Sequence, residues 1–289
     1  MNIQREIGDL VVDKKDKKIS SFFKRLLSGI VLLTLLSFVI YIGGDVLWFF
    51  SFVVSIIALF ELYKVFKIEK NRLGILGYLL VSIYYIMISQ FKVDGILFFI
   101  ILMVLLLLIF YIFSFPLFSI KDVALTLFGI FYVAVLFSFI YLIRVQRGVY
   151  GKYLVWVIFI SSWGCDTFAY CVGMLCGRYK LNNVLSPNKT IEGCIGGIIG
   201  SVILGLVYTY VLLNNIVNNI EISLIRVGCA CFICSIISQL GDLVASAIKR
   251  EYKIKDYGDI IPGHGGILDR FDSVIFCAPV LYFLLNVYR

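Results

Sequence analysis

Long apolar runs recur from one end of this chain to the other, each close to the length of a bilayer-crossing helix and each interrupted by a short polar or glycine-bearing gap. A helix needs about 20 mainly apolar residues to cross the hydrocarbon core. Windows of that length place spans at 26–43, 45–63, 73–91, 95–115, 123–143, 153–174, 192–213, 224–247 and 267–287. The strand alternation of a transmembrane barrel is absent, and a backbone in lipid must satisfy its own polar groups, so each run reads as a helix. The expected fold is an all-α polytopic membrane protein of about nine transmembrane helices.

Composition sharpens that reading. Of 289 residues, 61% are hydrophobic and 15% charged, with a mean hydropathy of +1.01, whereas a soluble domain carries about 25% charged residues. A water-soluble globular protein, a disordered chain and a disulfide-stapled secreted module are thereby excluded. The formal charge of +8 matters for where it lies. Arg5, Lys14, Lys15, Lys17, Lys18, Lys24 and Arg25 crowd residues 1–25, which run into the first span without a small-residue cleavage site and read as a cytoplasmic tail. With the N-terminus inside, all but six of the 26 basic residues fall on the inner side. Lys92, Arg144, Arg147, Lys152, Arg226 and Arg289 are the exceptions, and the trio Arg144, Arg147 and Lys152 breaches the positive-inside rule locally. Ile19, Phe22 and Phe23 among the tail lysines fit an interfacial helix on anionic lipid as well as a solvated tail. The absence of a long extension or organelle-targeting segment points to a bacterial inner membrane. The lipid bilayer, not nucleic acid, is the partner this charge serves, and homo-oligomerisation is left open.

The chain divides near residue 150. Residues 26–150 read as scaffold helices of Leu, Ile, Val and Phe that face lipid, with charge confined to loops, and residues 151–289 as the catalytic region. The later spans carry Asp166, Asp242, Asp269, Arg270 and Asp272 at or near membrane depth. An aspartate at a span's centre costs roughly 2.5–3.5 kcal/mol on insertion scales, so several retained ones mark a functional site. Gly193, Gly196, Gly197 and Gly200 give two overlapping G-x-x-x-G spacings, which read as close helix packing. Eight cysteines lie in or beside apolar runs, and Cys231-x-x-Cys234 has no second pair, so they read as small packing residues.

On the eighth span, Ser235, Ser238, Gln239, Asp242, Ser246, Lys249 and Arg250 share an arc of roughly 120° at about 100° per residue. A polar stripe descending from Lys249 and Arg250 to Asp242 and Ser238 predicts a water-filled cleft open to the cytoplasm. Next come a Pro262-Gly263-His264-Gly265-Gly266 turn and a helix opening on aspartates. Glycines let backbone amides approach a phosphate, and the helix start adds its positive dipole end. Carboxylates beside a basic, glycine-rich turn suit Mg²⁺ bridging protein and phosphates.

The string Ser246-x-Ile248-Lys249-Arg250-x₄-Lys255-Asp256-x-Gly258-x₂-Ile261-Pro262-x-His264-Gly265-Gly266-Ile267-x-Asp269-Arg270-Phe271-Asp272 resembles the signature of phosphatidate cytidylyltransferases, also called CDP-diacylglycerol synthases. Upstream, Asp166-x₂-Ala169-Tyr170-x₂-Gly173-x₃-Gly177-Arg178 and Ser186-Pro187-Asn188-Lys189-Thr190-x-Glu192-Gly193 resemble that family's preceding motifs, with Asn188 where a lysine is usual. The resemblance implies the reaction of CTP with phosphatidate to give CDP-diacylglycerol and pyrophosphate at the cytoplasmic surface. It implies Asp242 and Asp269 as ligands of Mg²⁺, with room for a second cation, and Lys249, Arg250, Lys255 and Arg270 as groups that neutralise phosphate, with His264 bonding a phosphate or organising the turn. Asp166, Tyr170, Ser186, Lys189, Thr190, Glu192, Ser246, Gly265, Gly266 and Asp272 are then the substrate-binding set. A CTP-dependent polyprenol or dolichol kinase is the enzymatic rival, but it does not need the string from Ser246 to Asp272. A cation-coupled transporter is the rival from another class, and it predicts midplane charge in both halves of a repeat.

Overall fold

A computed structural model describes residues 26–91, 96–182, 185–213 and 224–287. The expected cytoplasmic tail, residues 1–25, lies outside the described residues. Each of the nine apolar runs carries a helix. These are α1 (Leu26–Ile42), α2 (Gly44–Phe66), α3 (Arg72–Phe91), α4 (Ile96–Ser114), α5 (Ile120–Gln146), α6 (Tyr150–Cys176), α7 (Ile191–Val211), α8 (Leu224–Glu251) and α9 (Leu268–Val287). Among the described residues, α2 to α8 are long and apolar enough to span a membrane by themselves. Helix α1 is shorter, and α9 opens on Asp269, Arg270 and Asp272. Single π-helical turns interrupt α5 at Ile130–Val135 and α6 at Ile160–Gly164. The second lies just before Asp166, the kind of place where such turns re-aim side chains.

Local chemistry sets the ends. Ser119 and Asp122 form a capping box at the start of α5, each bonding the other's backbone amide. The Thr190 hydroxyl accepts the Gly193 amide at 3.1 Å and starts α7. Between α6 and α7 the chain forms a small antiparallel hairpin, β1 (Lys180–Asn182) and β2 (Ser186–Thr190), which the apolar pattern did not announce.

The glycine stripe of α7 is used within the chain. Added Cβ atoms on Gly193, Gly196, Gly197 and Gly200 would fall 2.2–2.7 Å from Ala169, Val172, Cys165 and Phe168 of α6, so these two backbones meet at closest approach. Helix α8 packs against both α7 and α9, and α9 packs back onto α5 and α2. The picture of a lipid-facing first half is corrected here. In their most apolar stretches 67% of α5 and 50% of α2 are buried, against 22% of α4 and 28% of α7, so α5 and α2 of the first half lie toward the centre of the bundle and α4 toward its outside. Nor is its charge confined to loops, because Glu61 lies inside α2 and Arg144 inside α5.

The trio Arg144, Arg147 and Lys152 finds partners of its own. The Arg144 guanidinium donates to the carbonyls of Ile40 at 3.0 Å, Tyr41 at 3.4 Å and Gly148 at 3.0 Å, capping the last turn of α1. Arg147 donates to the Leu285 carbonyl near the end of α9, and the Lys152 ammonium sits 5.5 Å and 4.8 Å over the Tyr41 and Tyr153 rings. These three cations cap helix ends and face aromatic rings at the end of the bundle away from the aspartates.

Candidate functional site

The polar stripe of α8 meets α6, the hairpin and the turn before α9 at one end of the bundle, where two cavities share a wall. One, of about 310 Å³, is lined by Asp166, Asp242, Asp269, Asp272, Arg270, Ser273, His264 and Trp163, with Ser28, Gly29, Leu32 and Leu33 of α1 closing one side. The other, of about 510 Å³, is lined by Arg178, Lys180, Lys189, Ser186, Asn188, Thr190 and Gln239, with Tyr170, Ala169 and Met174 of α6. Asp166 and Asp242 belong to both. Lys189 forms an ion pair with Asp242 at this junction, with about a quarter of each side chain exposed. Burial alone would lower the Lys189 pKa, but Asp242 in contact, with Asp166 beyond, outweighs it and holds the ammonium above its ordinary value.

The far side of the acidic cavity is drier. The Lys249 ammonium bonds Asp269 Oδ1 at 2.8 Å and lies 4.0 Å from Asp272, and the Asp269 carboxyl is 2% exposed. Asp269 Oδ2 accepts the backbone amides of Tyr257 at 2.7 Å and Gly266 at 3.1 Å. The Tyr257 hydroxyl donates to the Ala245 carbonyl at 3.1 Å, and burial raises its pKa far above the ordinary range, so it remains a donor. The turn itself needs glycine at two places, since Gly263 and Gly265 take φ values of 76° and 84°.

The amides at the start of α9 are already committed. Ile267 N–H donates to Glu61 Oε1 at 3.0 Å and Leu268 N–H to Glu61 Oε2 at 2.8 Å, beside the Gly266 amide held by Asp269. This corrects the expectation of a phosphate bound on that helix start, because two carboxylates of the protein already occupy the place an anion would take.

The remaining site residues fall on both sides of this boundary. Asp166, Asp242, Asp269, Asp272, His264 and Arg270 share the acidic cavity, and Tyr170, Ser186, Lys189 and Thr190 share the basic one. Glu192 lines neither; its carboxylate accepts the Arg178 and Tyr179 amides at 3.1 Å and 3.2 Å and ties the hairpin to α7. Arg250 and Lys255 are exposed and line neither cavity, nor does Ser246. The stripe is water-filled over less of its length than expected. Ser235 and Ser238 are fully buried, the Ser235 hydroxyl bonding the Phe232 carbonyl of its own helix, and Gln239 donates to the Cys194 carbonyl at 3.0 Å from the edge of the basic cavity, so the stripe meets open space at Gln239 and Asp242 and is packed between helices deeper down. Cys165, Cys231, Cys234 and Cys277 are buried packing residues.

Three contributors escaped the sequence reading. Glu61 is 2% exposed, and its signal was a lone acid inside an apolar run. Ser28 lies 2.7 Å from His264 Nδ1 and donates to the Pro262 carbonyl at 3.2 Å, fastening α1 to the turn. The Trp163 indole donates to the Arg270 carbonyl at 3.1 Å. Neither residue stands out in the sequence pattern.

A family profile described as the cytidylyltransferase family matches residues 23–288. A phosphatidate cytidylyltransferase of Staphylococcus haemolyticus is 39% identical over 266 residues, covering 90% of this chain and 98% of that protein. One of Bacillus subtilis is 34% identical over 274 residues, 92% of this chain and 98% of that protein. One of Staphylococcus aureus is 45% identical over 168 residues, 58% of this chain and 61% of the relative.

Proposed function

Because this chain belongs to the cytidylyltransferase family, we propose that it is an integral membrane enzyme that transfers the cytidylyl group of CTP to phosphatidate, giving CDP-diacylglycerol and pyrophosphate for phospholipid synthesis. The observation that carries this reading is the pair of cavities sharing Asp166 and Asp242, one acidic and one basic. The basic cavity suits the lipid. Arg178, Lys180 and Lys189 match a phosphate monoester, and the exposed Tyr170 and Met174 at its edge offer apolar surface to acyl chains. The acidic cavity suits the triphosphate of CTP carried with a divalent cation.

The donor set fits Mg²⁺ in a particular way. Among the described residues no three His, Cys, Asp or Glu side chains converge on one point, so a cage made wholly of protein is not the design. Mg²⁺ is commonly held by one or two carboxylates plus substrate oxygens. Asp242 is the accessible carboxylate, and Asp269 has three hydrogen bonds to its roughly four acceptor directions, leaving about one. When bound there, the cation would supply neutralising charge for the phosphates.

The chain's own residues then have positioning and electrostatic work. Lys189 holds a phosphate oxygen of phosphatidate at the junction, and Arg270 and His264 orient the triphosphate. The phosphatidate oxygen attacks the α-phosphorus in line; one P–O bond forms there and the bond to the β-phosphate oxygen breaks, releasing pyrophosphate. The nucleophile needs little help from a base, since a phosphate monoester has its second pKa near about 6. Such transfers rest on alignment and charge stabilisation. The positive-inside bias supports a cytoplasmic position for both cavities, and relatives from bacteria support a bacterial inner membrane.

The test uses purified protein in detergent with phosphatidate, Mg²⁺ and CTP labelled at either the α- or the γ-phosphate. Cytidylyl transfer puts α-label into the lipid fraction and γ-label into pyrophosphate. Lipid labelled from the γ-position would overturn the reading in favour of a CTP-dependent lipid kinase, and absence of labelled lipid from either would reject cytidylyl transfer to phosphatidate.

A further inference from the structure

Glu61 belongs to α2, in the half of the chain without the signature, yet its carboxylate is wedged into the signature itself. An added Cβ on Gly258 would lie 2.5 Å from Glu61 Oε1, and one on Gly266 would lie 2.6 Å from Oε2. Those two glycines therefore form a cradle with room for one carboxylate. Between them the oxygens accept the amides of Ile267, which precedes α9, and of Leu268, its first residue. Among the described residues no ammonium or guanidinium pairs with Glu61. A buried carboxylate without a cation is expensive to keep. Here two charge-assisted hydrogen bonds and the positive end of the α9 dipole offset that cost.

The geometry has a consequence for the reacting groups. Asp269 and Arg270 stand on the first turn of α9 and Asp272 on the next, and the direction of the helix start sets where each points. Asp269 fastens the turn from within by way of Gly266 and Tyr257. Glu61 fastens it from α2, and α2 is anchored in the buried centre of the bundle. We propose that Glu61 is a positioning residue for cytidylyl transfer, fixing the start of α9 so that Arg270, Asp269 and Asp272 present their charges to the acidic cavity. It touches no substrate and acts through the helix. The inference rests on the cytidylyl-transfer reading, and failure of the wild-type protein to label lipid would reject that reading before any variant is compared.

Glu61→Gln is the primary variant, since it keeps the volume and removes the charge and one of the two acceptors. The expected result is a fall in kcat of about 30-fold or more, with KM for CTP and for phosphatidate within about threefold of wild type and an unfolding midpoint within a few degrees. Backbone exchange measured by mass spectrometry should accelerate at least tenfold in the segment 266–268, with no substrate present. Gly258→Ala tests the cradle. It should depress kcat in the wild-type background and add nothing in a Glu61→Ala background, where its Cβ has space. Unchanged exchange at 266–268, unchanged kcat per folded molecule, or additive effects of Gly258→Ala and Glu61→Ala would each overturn the proposal. A lowered unfolding midpoint with intact kcat would reduce Glu61 to a structural cap and overturn it as well.

Discussion

Two lysine–aspartate pairs stand at opposite sides of the acidic cavity, made from the same two residue types and differing in almost everything else. Lys189–Asp242 joins the hairpin to α8 and leaves about a quarter of each side chain exposed, at the wall shared by both cavities. Lys249–Asp269 joins α8 to α9 with the carboxyl 2% exposed and two further backbone amides on it. Exposure decides what each pair can do. A partly hydrated pair is worth little to stability, so either partner can exchange its contact for an incoming phosphate or cation. A dry, fully bonded pair holds geometry, and removing one member strands the other.

The largest expected effect separates the pairs through their acids. Asp242→Asn should lower CDP-diacylglycerol formation by about two to three orders of magnitude, the scale for losing one charge-stabilising group at a transition state. Its unfolding midpoint in detergent should stay within a few degrees, because the lost pair is hydrated. Mg²⁺ titration of the residual activity should shift to higher concentration. An active Asp242→Asn with an unaltered Mg²⁺ profile would remove Asp242 from the reaction and break the comparison at its open end.

Asp269→Asn should fail in both respects. The Lys249 ammonium would keep only Asp272, at 4.0 Å, as an acidic neighbour. Breaking a buried pair from one side costs roughly 3–5 kcal/mol, which should appear as a lowered unfolding midpoint and reduced yield. The double variant Asp269→Asn with Lys249→Met removes the stranded charge and should recover much of the stability without recovering transfer. A single Asp269→Asn as stable as wild type would show that the closed pair is as dispensable to the fold as the open one.

The apolar pattern made the nine helices readable because lipid demands long unbroken runs, and the signature made the cavity residues readable because polar groups at depth are costly to keep. What stayed hidden depended on neighbours. Glu61, in a span of Leu, Phe and Val, looks like an acid near a helix end until α9 is seen to point its amides at it. The stripe on α8 was drawn correctly by periodicity, but a helical wheel does not say which part of a face meets water. Ser235 and Ser238 therefore proved dry, and Arg250, at the edge of the arc, faces outward. The resemblance made Asp269 a metal ligand, and the hydrogen bonds from Tyr257 and Gly266 emerge once the intervening loop folds back. The trio Arg144, Arg147 and Lys152 was visible as an anomaly, but the Ile40, Tyr41 and Leu285 carbonyls and the Tyr41 ring that explain it lie more than a hundred residues away in the chain.

Lys189→Ala tests the basic partner of the open pair. A charge-assisted phosphate contact is worth roughly 1.5–3 kcal/mol, so KM for phosphatidate should rise by about 10- to 150-fold with the fold intact. Lys189→Arg should retain more of the affinity. Because Asp242 holds the ammonium above its ordinary value of 10.5, the charge is present throughout the neutral range and is lost as pH rises through that raised value. The wild-type pH profile should accordingly show no break from Lys189 below about pH 10. A KM for phosphatidate unchanged in Lys189→Ala, with KM for CTP raised in its place, would exchange the substrates between the two cavities.

The smallest effect is expected where sequence alone suggested a large one. Arg250 and Lys255 belong to the signature, yet both are exposed and line neither cavity, so their charge acts on CTP through water. Charges in that position steer an anion toward the site and are screened over about 10 Å at 0.1 M salt. Arg250→Ala and Lys255→Ala should therefore raise KM for CTP by no more than about threefold at low ionic strength, leave kcat unchanged, and converge with wild type by about 0.5 M salt, where screening shortens to a few ångströms. Lys249→Ala provides the contrast: one residue earlier in the sequence but buried against Asp269, it should lose activity that added salt does not equalise. If Arg250→Ala or Lys255→Ala instead lost tenfold or more in kcat at high salt, the loop 252–266 would have to close on the triphosphate during turnover. The division between an open, exchanging side and a closed, bonded side would then describe the resting enzyme and not the reacting one.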